Sequence, residues 1–258
     1  MTSLASFLAV QNGSEALPPP TFENVLRYMR SGRGIGEWVH VDVLFQAYFM
    51  AFLILASIGA PLDANIPYSS SAKQLGFATF GGPHIATLLC EVSTRALHAT
   101  WYQKWFAHRR LRPEAYAGAV HSRLYLASVG DGSQDRFPVH QELLNSLASS
   151  TRLGANIPAG NALLSMAFPE GSPTHPAYTA GHGTVAGACT TILKAFFNEN
   201  FVIPNPRQPS TDGLSLQNYT GPALTVGGEL NKIASNTGTA PGAPATCVRA
   251  PAAPVWDR

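Results

Sequence analysis

Two segments of this sequence set chemically capable side chains at short, fixed spacings. The first is WYQKWFAHRRLRPE, Trp101–Glu114, where Lys104, His108, Arg109, Arg110 and Arg112 crowd one helix end among Trp101, Trp105 and Phe106. On a helix of 3.6 residues per turn, Lys104 and Arg112 lie slightly over two turns apart and point the same way. An ammonium point charge beside a guanidinium fork suits a tetrahedral oxyanion. A solvated charged face is the ordinary alternative for such a run. The second segment is PEGSPTHPAYTAGHGTVAGACTTILKAFF, 169–197, a loop rich in Gly, Pro, Ser and Thr that opens into an apolar helix and carries His175 and His182. Gly181 and Gly183 flank His182 and let backbone N–H groups approach a ligand closely. A helix N-terminus there favours an anion, and an imidazole there can give or take a proton near neutral pH. The ordinary alternatives are a capping or turn residue at His182 and a loop histidine at His175.

Mostly helical elements have to position these groups. TFENVLRYMRSG reads as a short helix with Thr21 as N-cap and Gly32 as stop. Val39–Gly59 reads as one long buried helix, ended by Gly59 and Pro61, and 62–83 as a loop. His84–Arg110 carries Ile85, Leu88, Leu89, Val92 and Leu97 at helical spacing with no Pro or Gly inside. RPEAYAGAVHSRLYL, VHQELLNSLASSTRLG and AGNALLSMAF give three further helices, and Thr184–Asn198 another. No convincing strand alternation runs through the chain. The fold class expected is all-α, a helical bundle in one domain over 1–236, followed by an irregular Pro/Ala-rich tail over 237–258.

Bulk composition bounds the function. With 258 residues, 45% hydrophobic and 12% charged, the chain can bury a sizeable core. A net charge of +2 is no nucleic-acid footprint. Cys90, Cys189 and Cys247 are scattered and odd in number, so neither a zinc site nor a disulfide framework is indicated, and Cys90 and Cys189 read as buried thiols. The apolar run Val43–Ala60 is long enough to be a membrane-span candidate, but Gln46 and Tyr48 inside it, and His40 and Asp42 at its edge, favour a core helix and no membrane partner. The first twenty residues lack the basic region and cleavage site of a signal peptide.

Taken together, the two segments resemble the motif set of the vanadium-dependent haloperoxidases, relatives of the type 2 phosphatidic acid phosphatases and bacterial acid phosphatases. Lys104 with Arg112-Pro113, seven residues between Lys and Arg, is similar to the bromoperoxidase branch, as are YTAGH, FPEGSPTHPAY, GELNKIASN and FGGPHI. The resemblance covers roughly His40 to Asn236. It implies a vanadate cofactor held by Lys104, Arg112 and the backbone N–H of Gly181, with His182 as acid–base residue. It implies that His175 lies close to the cofactor and that Trp101 lies near the halide. The implied reaction is two-electron oxidation of bromide or iodide by hydrogen peroxide to hypohalous acid, which halogenates a small organic acceptor. Vanadium keeps its oxidation state, so no haem or flavin is required. Self-association would also fit the family.

Two departures qualify the resemblance. Ala180 stands where the family has a serine, so one hydroxyl donor is missing. The family pattern also continues with an Arg and a vanadium-ligating His after GELNKIASN. Here no histidine follows His182, and the later arginines, Arg249 and Arg258, lie in the Pro/Ala-rich tail. No vanadium-ligating residue is therefore assigned, and the bundle reads as incomplete at its C-terminal end. Two alternatives follow: a catalytically impaired fragment of such an enzyme, or a phosphate monoesterase using the same anion pocket.

Overall fold

The computed structural model describes residues 3–14, 21–125, 138–148, 160–164, 166, 168 and 170–239. These are predominantly helical, with one short antiparallel hairpin, and fall into two compact units.

The larger unit comprises Asn24–Phe106 with Thr179 onward. Its centre is α4 (Gly82–Tyr102) against α7 (Gly181–Phe196), with α8 (Val226–Thr239) packed on α7. Ile85, Leu89, Ser93, Ala96 and Thr100 of α4 are buried at steps of three and four, the helical period. Val185, Cys189 and Leu193 of α7 repeat at steps of four and are fully buried, as is Leu89. Each such aliphatic side chain stabilises the fold by about 1.5–3 kcal/mol. Pro83 in the first turn of α4 suits a helix start, where its missing N–H is no loss. Just before it, the Gly76 and Gly81 backbones approach so closely that a Cβ at either would collide with the other strand of the turn. His84 Nδ1 accepts the Phe80 N–H at 2.9 Å and locks this turn onto α4.

The long helix expected over Val39–Gly59 is two helices. α2 (Gly32–Val41) and α3 (Gln46–Ser57) meet at 104°, and no single helix among the described residues is long and apolar enough to cross a membrane. The break falls at Asp42, whose extended backbone ends α2. Its carboxylate is buried and has a partner outside the run. Continuing the helix would commit Asp42 to helical geometry.

The helix expected from Thr21 to Gly32 is also absent. Residues 21–30 are irregular, and Gly32 begins a helix capped by Ser31 rather than ending one. A tertiary partner accounts for the difference. The Tyr28 N–H donates to Gly213 O at 2.8 Å, and the Arg27 and Arg30 guanidinium groups donate to Asp212 O and Thr211 O at 2.6 and 2.9 Å. Those acceptors lie on the turn of the hairpin β1 (Arg207–Pro209) and β2 (Leu216–Asn218). Cys189 is buried as expected, but Cys90 is exposed on the outer face of α4.

The smaller unit comprises Met1–Glu23 with Ala107–Tyr178. Here α1 (Leu4–Gln11) buries Phe7 against Leu163 and Met166, and α5 (Pro113–Tyr125) and α6 (Gln141–Ala148) share a core of Ala119, Val120, Val139 and Leu144. The helix expected at AGNALLSMAF does not form over its described residues. Side chains take its backbone donors instead: Ala162 N–H donates to His121 Nδ1 at 3.3 Å and Leu163 N–H to Asn161 Oδ1 at 2.8 Å. Residues 237–239 finish α8, and the remainder of the tail lies outside the described residues.

Candidate anion site

α7 starts at Gly181, so His182 sits in its first turn. Ala180 occupies the N-cap with extended backbone and offers no side-chain bond. The first intrahelical bond is Thr184 N–H to Ala180 O at 3.0 Å, so the N–H groups of residues 181–183 have no helical acceptor. Such a terminus attracts an anion. Gly183 has a packing role as well: a Cβ on Gly238 of α8 would lie 3.4 Å from its Cα.

His182 Nε2 bonds Asp42 Oδ1 at 2.8 Å, with side-chain exposures of 18% and 1%. An ionised carboxylate only accepts, so Nε2 carries the hydrogen and Nδ1 is the acceptor of the neutral ring. The pair therefore fixes both tautomer and ring orientation, as a carboxylate does for a catalytic imidazole. Asp42 was not singled out as a site residue from sequence. The available signal was a lone carboxylate at the edge of an apolar run, a group that must find a partner if buried.

Lys104 is 4% exposed, an unusual burial for an ammonium. It lies in a π-helical turn, Gln103–His108, that prolongs α4. Such turns recur at functional sites because they re-aim side chains out of the helical register. The shared helical face expected for Lys104 and Arg112 does not exist. The helix stops at His108, Arg109 takes a left-handed φ of 44°, and Arg112 precedes Pro113, the first residue of α5. The reason lies in Pro113, which disfavours helical geometry at the residue before it. Trp101, near the end of α4, is 51% exposed with its ring 5.6 Å from that of His98.

In the larger unit the structure thus holds Lys104, Gly181, His182 and Trp101 on α4, its π turn and α7. The smaller unit holds Arg112 and His175. Arg112 Nε donates to Glu114 Oε1 at 2.6 Å with both side chains mostly buried, which fixes the guanidinium plane. His175 is exposed, and its Nδ1 lies 3.1 Å from Pro176 O. Tyr178 anchors the end of this loop, its ring 4.8 Å from that of His108 and 5.1 Å from the Arg110 guanidinium carbon.

A buried lysine, an uncapped helix N-terminus and a carboxylate-oriented histidine are groups of the kind that suit an oxyanion, carried by a predominantly helical protein. Comparison with known proteins narrows this class. The chain is 40% identical to vanadium-dependent bromoperoxidases of Corallina officinalis and Corallina pilulifera, covering 92% of this chain and 42% of each relative. It is 34% identical to that of Ascophyllum nodosum, covering 92% of this chain and 43% of the relative. The chain is therefore homologous to the vanadium-dependent bromoperoxidases along nearly its whole length and spans about two fifths of theirs. No family model matches it.

Proposed function

We propose that this chain carries the oxyanion-holding and acid–base part of a vanadate-dependent bromoperoxidase, with hydrogen peroxide, bromide or iodide, and a small organic acceptor as its substrates. The observation that carries the reading is the pair His182–Asp42, a buried carboxylate fixing an imidazole in the first turn of an uncapped helix. The donor set fits the cofactor. Vanadate is a tetrahedral oxyanion, and in the larger unit the Lys104 ammonium and the Gly181 N–H are the groups suited to its oxygens, to which the family resemblance adds the Arg112 guanidinium. When bound it supplies a Lewis-acid centre that activates peroxide without changing oxidation state.

The residues do the rest. Lys104, kept from water, places a positive charge whose attraction for an oxyanion is weakly screened. Nδ1 of His182 takes and returns a proton, because Nε2–H is committed to Asp42. His175 would tune protonation or halide handling, and Trp101 would flank the halide. Within these 258 residues no histidine follows His182. Lys104 and the Gly181 N–H would engage vanadate through charge and hydrogen bonds.

Calorimetric titration of the chain with orthovanadate tests the reading, beside Lys104→Met. One lost charge-assisted contact should weaken binding by about tenfold to a hundredfold. Equal affinity in the two proteins would remove Lys104 from the site. A parallel bromination assay with and without vanadate, beside a phosphomonoester assay, separates the peroxidase from the phosphatase reading.

A further inference from the structure

The His182–Asp42 pair leaves one atom unexplained. Asp42 Oδ2 is buried and has no hydrogen-bond partner among the described residues, although its side chain is 1% exposed. The Tyr48 hydroxyl is in the same condition: the residue is fully buried in the first turn of α3, and its oxygen has no partner among the described residues. One is an acceptor without a donor, the other a donor without an acceptor. Both lie in the larger unit, six residues apart across the break between α2 and α3. Buried polar atoms are rarely left unpaired, because each costs the full desolvation of its group.

We propose that Tyr48 is a positioning residue for His182, its hydroxyl donating to Asp42 Oδ2 through one bridging water. The electrostatics agree. Burial, the largest influence, raises the Tyr48 pKa far above its ordinary value, so the phenol keeps its proton. The groups that act on it electrostatically are Thr237 of α8, Cys189 of α7 and Asp42. The Thr237 hydroxyl pulls the phenol pKa down, the effect of a donor toward the phenol oxygen, although no formed hydrogen bond joins them. Cys189 is itself held as a thiol, pushed up to about 12 mainly by burial, and its Sγ–H points to Leu89 O at 3.8 Å. Asp42 is the anionic group among those that act on the phenol.

The consequence concerns geometry. A carboxylate fixed at one oxygen can still pivot about its Cβ–Cγ bond. Fixed at both, it holds the imidazole plane, and proton exchange at His182 is confined to Nδ1. Four elements then meet at one polar cluster: α2 through Asp42, α3 through Tyr48, α7 through His182 and α8 through Thr237. The proposal rests on the reading above only in calling His182 the acid–base group.

The test is the His182 Nε2–H resonance in the 15N-labelled 258-residue chain, without vanadate or bromide, so a failed bromoperoxidase reading leaves it intact. In Tyr48→Phe, solvent exchange of that proton should be about tenfold faster, as for loss of one bond to a charged group, and Tm should fall. An unchanged exchange rate overturns the proposal. So does a Tm that holds or rises, the outcome for deleting a hydroxyl that had no partner. Should the phenylalanine variant not fold, 3-fluorotyrosine at position 48 keeps the shape and makes the phenol a stronger donor. Slower exchange is then expected, and no change would be equally fatal.

Discussion

His182 and His175 stand seven residues apart and live in opposite surroundings. His182 is mostly buried, in the first turn of α7, with a carboxylate of negligible exposure at 2.8 Å. His175 is exposed on a loop, and its ring meets a backbone carbonyl one residue on. A buried carboxylate imposes a tautomer and an orientation, whereas a solvated loop carbonyl imposes neither firmly. The sequence offers the two as equals. The difference is made by α2 ending where it does, at Asp42, far away in the chain.

The largest test of that contrast is Asp42→Asn. The substitution takes the charge out of the hydrogen bond that His182 Nε2–H makes, a bond worth about 1.5–3 kcal/mol, so the midpoint of urea unfolding should drop. An amide can also serve either imidazole tautomer, and vanadate-dependent bromination, where measurable, should fall by at least about a hundredfold, as expected for an acid–base group lost from its task. Full stability in this variant would mean that the pair does not orient His182.

His121 sharpens the comparison, being buried like His182 but facing a backbone donor. Ala162 N–H donates to its Nδ1 at 3.3 Å, which requires the neutral ring, and burial holds its pKa below the ordinary histidine value. The folded-state pKa is depressed, so the unfolded chain takes up the proton first. The stability His121 contributes is complete above the unfolded value of about 6.5 and is lost as pH falls through the folded pKa. His121→Gln keeps an acceptor but does not titrate. Its unfolding free energy should fall less steeply below pH 6.5 than that of the parent, and parallel curves would contradict the assignment.

A smaller effect is expected at Ala180. Its extended N-cap geometry is already suited to serine, and Ala180→Ser should cap the N–H of residue 182 or 183, adding about 0.5–2 kcal/mol to stability. The same hydroxyl could instead donate to a bound oxyanion. Thermal melts with and without vanadate distinguish the two, because a hydroxyl acting as ligand widens the vanadate-induced rise in Tm, while one acting only as cap leaves it constant. Smallest of all should be His175→Ala. An exposed loop side chain typically shifts stability by less than about 0.5 kcal/mol. A larger loss in chemical denaturation would show that the loop depends on its ring.

Much of the fold was legible locally. The buried positions of α4 and α7 follow the helical period, Pro113 and Gly181 mark helix starts, and each of these follows from a few adjacent residues. The histidine at the mouth of α7, the lysine before the arginine–proline pair and the family resemblance were likewise readable, since residue type and spacing carry them. Tertiary structure decided the rest. Segment 21–30 gave up its helical pattern because Arg27, Tyr28 and Arg30 found acceptors on a hairpin turn some 180 residues on. The helix expected over Val39–Gly59 broke at Asp42 because a buried carboxylate needs a donor, and that donor, His182, lies 140 residues away. Periodicity reports which face of an element is apolar, but it carries no information about where a buried polar atom finds its partner. That pairing exists only once the chain has folded, and here it sets which nitrogen of His182 carries the hydrogen.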